Sequence, residues 1–244
     1  MTIQQDKNKL SQSNLSFVHE LISKEEYKEA LTGLDKLTQS YPNNPTLFFL
    51  GGNCYGAMQS FEQAILCYKE ALKFQPDFAE AHNNLGVYLK EIGELEEALS
   101  HAKKAVKIKP DFAQAYHGKA YALMKSIKFD DAIINFNKAL KINPNYASAY
   151  NNMGSSFYEI GQCEEASNCY IKTLEINPNH KDAHENLISL LTFYHPKKNN
   201  SNSIVKTNYL LRSNKFNFDL KTKITDEEII NYYYKTYQIL KENL

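Results

Sequence analysis

Residues 79–112 read AEAHNNLGVYLKEIGELEEALSHAKKAVKIKPDF, and this stretch decides the fold. Two helical patterns lie inside it. The first runs from about Ala79 to Ile92, with Leu85, Leu89 and Ile92 on one stripe. The second runs from about Leu95 to Ile108 and carries Leu95, Ala98, Leu99, Ala102, Ala105 and Val106 on its stripe. Both recur at the 3.6-residue period of an amphipathic helix. Gly93 breaks the first pattern and Pro110 closes the second. The reading is a helical hairpin with small residues where two backbones approach: Gly86 against Ala98 within the hairpin, and Ala105 facing the next one.

The pattern repeats outward in both directions. Prolines stand at Pro42, Pro76, Pro110, Pro144 and Pro178, each 34 residues from the last. Alanines precede them at Ala30, Ala64, Ala98, Ala132 and Ala166. Small residues recur at Gly52, Gly86, Ala120 and Gly154, and aromatics at Tyr68, Phe136 and Tyr170, with Leu34 and Ala102 as exceptions. A fixed period of this length outranks any local reading. A small residue, then Ala, then an aromatic, then Pro on a 34-residue period resembles the tetratricopeptide repeat (TPR) family. The Trp of that signature is replaced by Phe48, His82, Tyr116, Tyr150 and His184. The resemblance covers residues 11–194. It implies an all-α superhelical solenoid of helix-turn-helix repeats, in which each repeat contacts mainly its neighbours.

Taken in order, residues 1–10 are polar and read as a flexible N-terminus. Five repeats follow at 11–44, 45–78, 79–112, 113–146 and 147–180. The first repeat is the least regular. Phe17, Val18, Leu21 and Ile22 make its first stripe, Tyr27, Ala30, Leu34 and Leu37 its second, and its polar start suits the capped end of a stack. Residues 181–194 match a first helix without a second and read as a capping helix, because His195-Pro196 ends the pattern. In 195–223, seven basic residues oppose the single acid Asp219, which makes a basic, Asn/Lys-rich linker. Residues 224–244 read as an amphipathic C-terminal helix. Thr225 and Glu228 fit a capping box, and Ile229, Ile230, Tyr233, Tyr237 and Leu240 form a stripe. That helix is the expected cover for the end of the stack, with docking onto a second copy as the alternative.

Composition excludes several function classes. Basic and acidic residues balance at 28 each, so no global charge steers the chain to nucleic acid or to a membrane. No apolar run approaches the ~20 residues that span a bilayer. The N-terminus MTIQQDKNKL lacks the apolar core of a signal peptide, so a cytoplasmic location is expected. Abundant Asn, Lys and Ile suggest an AT-rich genome. Cys54, Cys67, Cys163 and Cys169 form no CxxC pair or disulfide framework. Cys163 takes the position held by Tyr27, Phe61, Leu95 and Phe129, and is expected to be a small buried hydrophobe.

The sequence carries no recognisable catalytic motif. There is no phosphate loop, no dinucleotide fingerprint and no GxSxG elbow. His180 and His184 are four residues apart, a spacing that can serve two metal ligands. His180, however, falls in an inter-repeat turn, His184 takes a packing position, and no third ligand has suitable spacing. Glu94, Glu96 and Glu97 stand at the start of a second helix, where negative charge complements the helix dipole. No catalytic residue, metal or cofactor is expected, and the chain reads as non-catalytic.

The TPR resemblance places a peptide-binding groove at positions two, five, nine and twelve of each first helix, and spacing agrees, since these positions avoid the packing stripe. Here they supply Phe49 and Asn53; Asn83, Val87 and Lys90; His117, Tyr121 and Met124; and Asn151, Ser155 and Tyr158. Asn84 and Asn152 flank the line at position six. Amides pair with an extended peptide backbone in both senses, and Tyr supplies area with few rotors. The family's clamp for acidic chaperone C-termini needs cations that are missing here. Its two registers fall on Leu15, His19, Leu50, Glu80 and Asn84, or on Phe49, Asn53, Asn84, Gln114 and Gly118, so such peptides are not expected partners. The runs AHNNLG and AYNNMG are similar to repeats of O-linked N-acetylglucosamine transferases, whose asparagine ladder holds substrate backbone. Leu50 and Gly118 interrupt that ladder here, and the 50 residues after 194 are too few for a nucleotide-sugar domain. The arrangement also looks like bacterial TPR proteins. The expected function is a protein–protein interaction scaffold whose partner is a protein or peptide. The rival is a substrate-recruiting accessory domain, or shortened relative, of a glycosyltransferase or other transferase.

Overall fold

The structure is a computed structural model and describes residues 12–193. The N-terminal segment 1–10, the linker 195–223 and the C-terminal helix 224–244 lie outside the described residues. Eleven α-helices and no strand occur among the described residues. They are α1 (Gln12–Ser23), α2 (Tyr27–Ser40), α3 (Pro45–Ala57), α4 (Phe61–Phe74), α5 (Ala79–Glu91), α6 (Leu95–Ile108), α7 (Ala113–Lys125), α8 (Phe129–Ile142), α9 (Ala147–Glu159), α10 (Cys163–Ile176) and α11 (Lys181–Phe193). They fall into two compact units, α1–α7 and α8–α11. The division lies at Ser126–Ile127, between the two helices of residues 113–146.

The first unit is a series of packed neighbours: α1 on α2, α2 on α3, α3 on α4, α4 on α5, α5 on α6 and α6 on α7, with α5 also touching α7. Its core falls into clusters that follow one another along the chain. Val18, Leu21, Ala30, Leu34, Leu47 and Cys54 form one cluster. Ala64, Ile65, Tyr68, Ala81, Leu85, Leu89 and Ala98 form the next. In the second unit α8 packs on α9, α9 on α10, and α10 and α9 on α11. The centre of that unit is Ala166, Tyr170, Ile171, Leu174, Ala183, Leu187 and Leu190.

Close approach in the hairpins α3–α4, α5–α6 and α9–α10 depends on a missing side chain. A Cβ on Gly154 would sit 2.7 Å from the Tyr170 ring, and one on Gly52 would sit 2.7 Å from Tyr68. Gly86 has no aromatic opposite it, and a Cβ there would reach the Ala98 carbonyl at 3.2 Å. Each turn between paired helices places one residue in the left-handed region, and four of the five share one backbone bond. Glu25, Gln59, Gly93, Ile127 and Gly161 all have φ between 59° and 87°. The amides of Glu26, Ser60, Glu94 and Gln162 then bond back to the carbonyls of Leu21, Tyr55, Leu89 and Phe157 at 2.8–2.9 Å. This is the Schellman close of a helix, which needs one left-handed residue. Glycine adopts it freely at Gly93 and Gly161, and the side chains at the other three positions carry some strain.

Three details differ from the sequence expectation. Phe17 is 60% exposed although the stripe beside it, Val18 and Leu21, is buried, since no described helix packs on the other side of α1. Ile92 is 43% exposed because α5 ends at Glu91 and leaves Ile92 in the cap. Cys163 is half-buried, at the margin of its cluster.

Candidate functional site

In the first unit α3, α5 and α7 carry the expected groove residues. Phe49 is the exception to the rule that these positions avoid packing. Its ring lies 4.7 Å from Phe78 and 5.8 Å from Tyr68, and it covers the apolar cluster beneath. Asn53 Oδ1 accepts from the Tyr68 hydroxyl at 2.7 Å and from Asn84 Nδ2 at 3.1 Å. Asn84 Oδ1 in turn accepts from Asn83 Nδ2 at 3.1 Å. Burial holds the Tyr68 phenol far above its ordinary range, so it remains a donor. These bonds make a short amide ladder from α3 to α5. Both lone pairs of Asn53 Oδ1 are taken, so its amide N–H groups are what it can offer a ligand.

Further along the same face, Val87 is 38% exposed. Lys90 Nζ lies 4.7 Å from the centroid of the Tyr121 ring, which brings α5 to α7. Lys125 Nζ lies 5.5 Å from the same centroid. Lys90 also meets Glu91 at 2.7 Å. His117 and Met124 are half-buried beside Tyr121 on α7.

The second unit has its own amide pairings. Asn186 Nδ2 on α11 donates to Asn151 Oδ1 on α9 at 3.1 Å. Asn151 Nδ2 reaches Asn152 Oδ1 at 3.5 Å. Ser155 Oγ donates to the Asn151 carbonyl at 3.3 Å and accepts from the Tyr170 hydroxyl at 3.4 Å. Asn151 is only 5% exposed, so it orients its neighbours rather than facing solvent. Tyr158 is 42% exposed. Tyr121 and Tyr158, expected on successive first helices, belong to different units. Sequence reasoning missed Asn186 and Lys125. Asn186 continues the position-six asparagines of repeats three and five, and Lys125 stands one residue past the nominal groove position.

Titratable groups elsewhere have structural tasks. His180 Nδ1 accepts the Ala183 amide at 3.3 Å and so caps α11, while His184 Nε2 bonds the Pro178 carbonyl at 2.8 Å. The two rings serve different backbone groups. His82 repeats the second geometry on the Pro76 carbonyl at 2.9 Å. Among the described residues no group of three or more His, Cys, Asp or Glu could hold a metal ion. Burial pushes the Cys67 thiol up to about 11 and Cys169 up to about 12, which leaves both as poor nucleophiles. No described helix is long and apolar enough to cross a membrane.

Family models described as TPR repeat or tetratricopeptide repeat match residues 52–91 and 128–161, residues 79–112, and residues 147–180. The chain is a tetratricopeptide repeat protein. Among solved TPR-fold structures, PilF of Pseudomonas aeruginosa is 16% identical, with a TM-score of 0.70, and the match covers 93% of this chain and 96% of PilF. YrrB, described as a TPR protein with an unusual peptide-binding site, is 22% identical with a TM-score of 0.61 over 75% of this chain and 94% of YrrB. At these identities the likeness shows the fold alone. A probable UDP-N-acetylglucosamine–peptide N-acetylglucosaminyltransferase, SEC of Arabidopsis thaliana, is 30% identical over 84 residues, which is 34% of this chain. The match spans only 9% of that relative's length.

Proposed function

We propose that this TPR protein is a non-catalytic interaction module that holds an extended peptide or partner segment along the inner faces of its first helices. The amide ladder Asn53–Asn84–Asn83 carries the reading. Asparagines fixed by one another and by a buried Tyr hydroxyl present their remaining N–H and C=O groups in a set direction. A peptide backbone can pair with such groups regardless of its side chains, and preorganised donors lose less entropy on binding. The half-exposed Val87 and Tyr121 beside the ladder supply apolar area. We also propose proteins rather than nucleic acid or membranes as partners, which the balanced charge of the chain supports.

The test is a peptide array probed with the intact chain, repeated with Asn53→Ala/Asn84→Ala. The double change is expected to lower binding at least about tenfold while helical content is retained, since several neutral hydrogen bonds at about 1 kcal/mol each are lost together. Unaltered binding to the same array spots would place recognition away from the ladder.

The second reading, recruitment of substrates for a transferase supplied by another chain, is favoured by the 30% identity to the plant relative. Affinity capture from the native host separates the two. A sugar transferase recovered with the wild-type chain and lost with the double variant would support recruitment.

A further inference from the structure

The chain has nine glycines, and the structure gives eight of them a local reason. Gly93 and Gly161 have positive φ in turns. Gly33, Gly51, Gly52, Gly56, Gly86 and Gly154 face side chains or backbone within 3.6 Å of where a Cβ would stand. Gly118 alone is helical and would meet no heavy atom of the described residues within 4 Å of its Cβ. A glycine inside a helix costs stability relative to Ala, and close approach of another backbone is one of its few uses. Gly118 shares one stripe of α7 with Tyr121 and Lys125, at spacings of three and seven residues. Tyr121 is the ring on which Lys90 and Lys125 converge, at 4.7 and 5.5 Å. Two ammonium groups drawn to one ring repel each other, and an anion between them relieves that repulsion. Glu91 offsets Lys90. Among the described residues no carboxylate pairs with Lys125.

We propose that the α5–α7 face is a subsite for an acidic peptide: the ligand backbone passes over Gly118 and places a carboxylate between Lys90 and Lys125 at the edge of Tyr121. This rests on the peptide-binding reading above and adds the charge and the crossing point of the ligand. The occupant is a peptide rather than a polyanion such as RNA. The amide ladder of α3 and α5 continues the same face, and amides match a peptide backbone, whereas phosphates call for a longer run of cations than two lysines.

The experiment uses the full chain and three labelled probes, (Ser-Glu)4, (Ser-Gln)4 and (Ser-Lys)4, followed by fluorescence anisotropy at low and high salt. The acidic probe should bind most tightly and weaken as salt rises. Lys90→Gln and Lys125→Gln should each weaken the acidic probe by about three- to fivefold, the range of an exposed charge pair, and leave the amide probe unchanged. Gly118→Ala should weaken both of these probes while raising the melting temperature, a combination that simple structural damage would not give. Equal binding of the acidic and amide probes overturns the carboxylate subsite and leaves the peptide reading standing. Failure of all three probes overturns both. Displacement of the acidic probe by single-stranded poly(U) at matched charge concentration, with no preference between the two, overturns the assignment to a peptide.

Discussion

At the residue scale, the third repeat contains a buried pair that none of the other described repeats has. His82 Nδ1 and His101 Nδ1 are 2.8 Å apart. The proton positions follow from the neighbours. His82 Nε2 must donate to the Pro76 carbonyl, so its Nδ1 accepts, and His101 must carry its proton on Nδ1. A second proton on His82 would set two N–H groups against each other. On His101 it would go to Nε2, which Glu97 faces at 3.7 Å while also pairing with Lys69 at 3.0 Å. Burial, then the neighbouring His82 and Lys104, hold His101 down at about 4, and burial also lowers His82. The folded state therefore binds fewer protons than the unfolded chain below the ordinary value of 6.5. The stability from this pair is complete above pH 6.5 and is lost as pH falls toward 4. The loss expected by pH 5 is about 1–2 kcal/mol. His82→Phe/His101→Cys, which installs the residues that repeat two carries at Phe48 and Cys67, should flatten melting temperature between pH 7.5 and 5. A smaller slope from His184, whose titration burial also lowers, should remain. An unchanged slope in the double variant would show that the pair does not carry the acid sensitivity.

At the element scale, the hairpins α3–α4 and α9–α10 are each a lock between a first-helix glycine and a second-helix aromatic. Gly154→Ala would drive a methyl into the Tyr170 ring at 2.7 Å and against Cys169 Cβ at 3.0 Å. Tyr170 is 2% exposed and has no room to withdraw. The expected loss is about 1–3 kcal/mol, the range for overpacking a filled core. Ala98→Leu and Ala132→Leu, at positions 3% and 0% exposed, should cost about the same. Gly118→Ala, on the same kind of helix but with open space at Cβ, should gain about 0.5–1 kcal/mol instead. Chemical unfolding of the four variants checks the signs, and a neutral Gly154→Ala would contradict the lock. These elements were legible in the sequence because steric spacing is written in residue size: Gly, Ala, aromatic and Pro recur where backbone approach, packing and the turn demand them. The left-handed turns at Glu25, Gln59 and Ile127 were less visible, since no glycine marks them, though the 34-residue period places them beside Gly93 and Gly161. The site was less legible still. Phe49 and Asn151 satisfy the groove spacing yet are held inward, because spacing gives the face of a helix but not how far its neighbours cover it. Lys125 reaches Tyr121 through a long, flexible stem that a position rule does not include.

At the scale of the whole molecule, the unbroken period describes the repeats, while the described helices gather into two units that divide at Ile127. Ile127 is a β-branched residue at φ 61° and 77% exposed. Nothing in the 34-residue spacing marks that boundary. The end of the second unit leads to the last prediction. There α11 lays Ala183, Leu187 and Leu190 against α10, and no described helix packs on its other side. Repeat arrays need a polar or covered end to stay soluble. The chain continues for 51 residues past Phe193, and 224–244 carries the stripe Ile229, Ile230, Tyr233, Tyr237 and Leu240 on a helical period. A linker such as 195–223 spans at ~3.3 Å per residue far more than the ~10 Å between packed helices, so length does not prevent the segment from returning to cover α11. Deleting 224–244 should then lower the melting temperature of the intact remainder and promote self-association, read by light scattering across a concentration series. If that segment instead docks on a second copy, the full-length chain is the dimer and the deletion is the monomer, which reverses the order of the two masses. A truncated chain that stays monomeric with an unchanged melting point would leave the C-terminal stripe without a role at this end of the array.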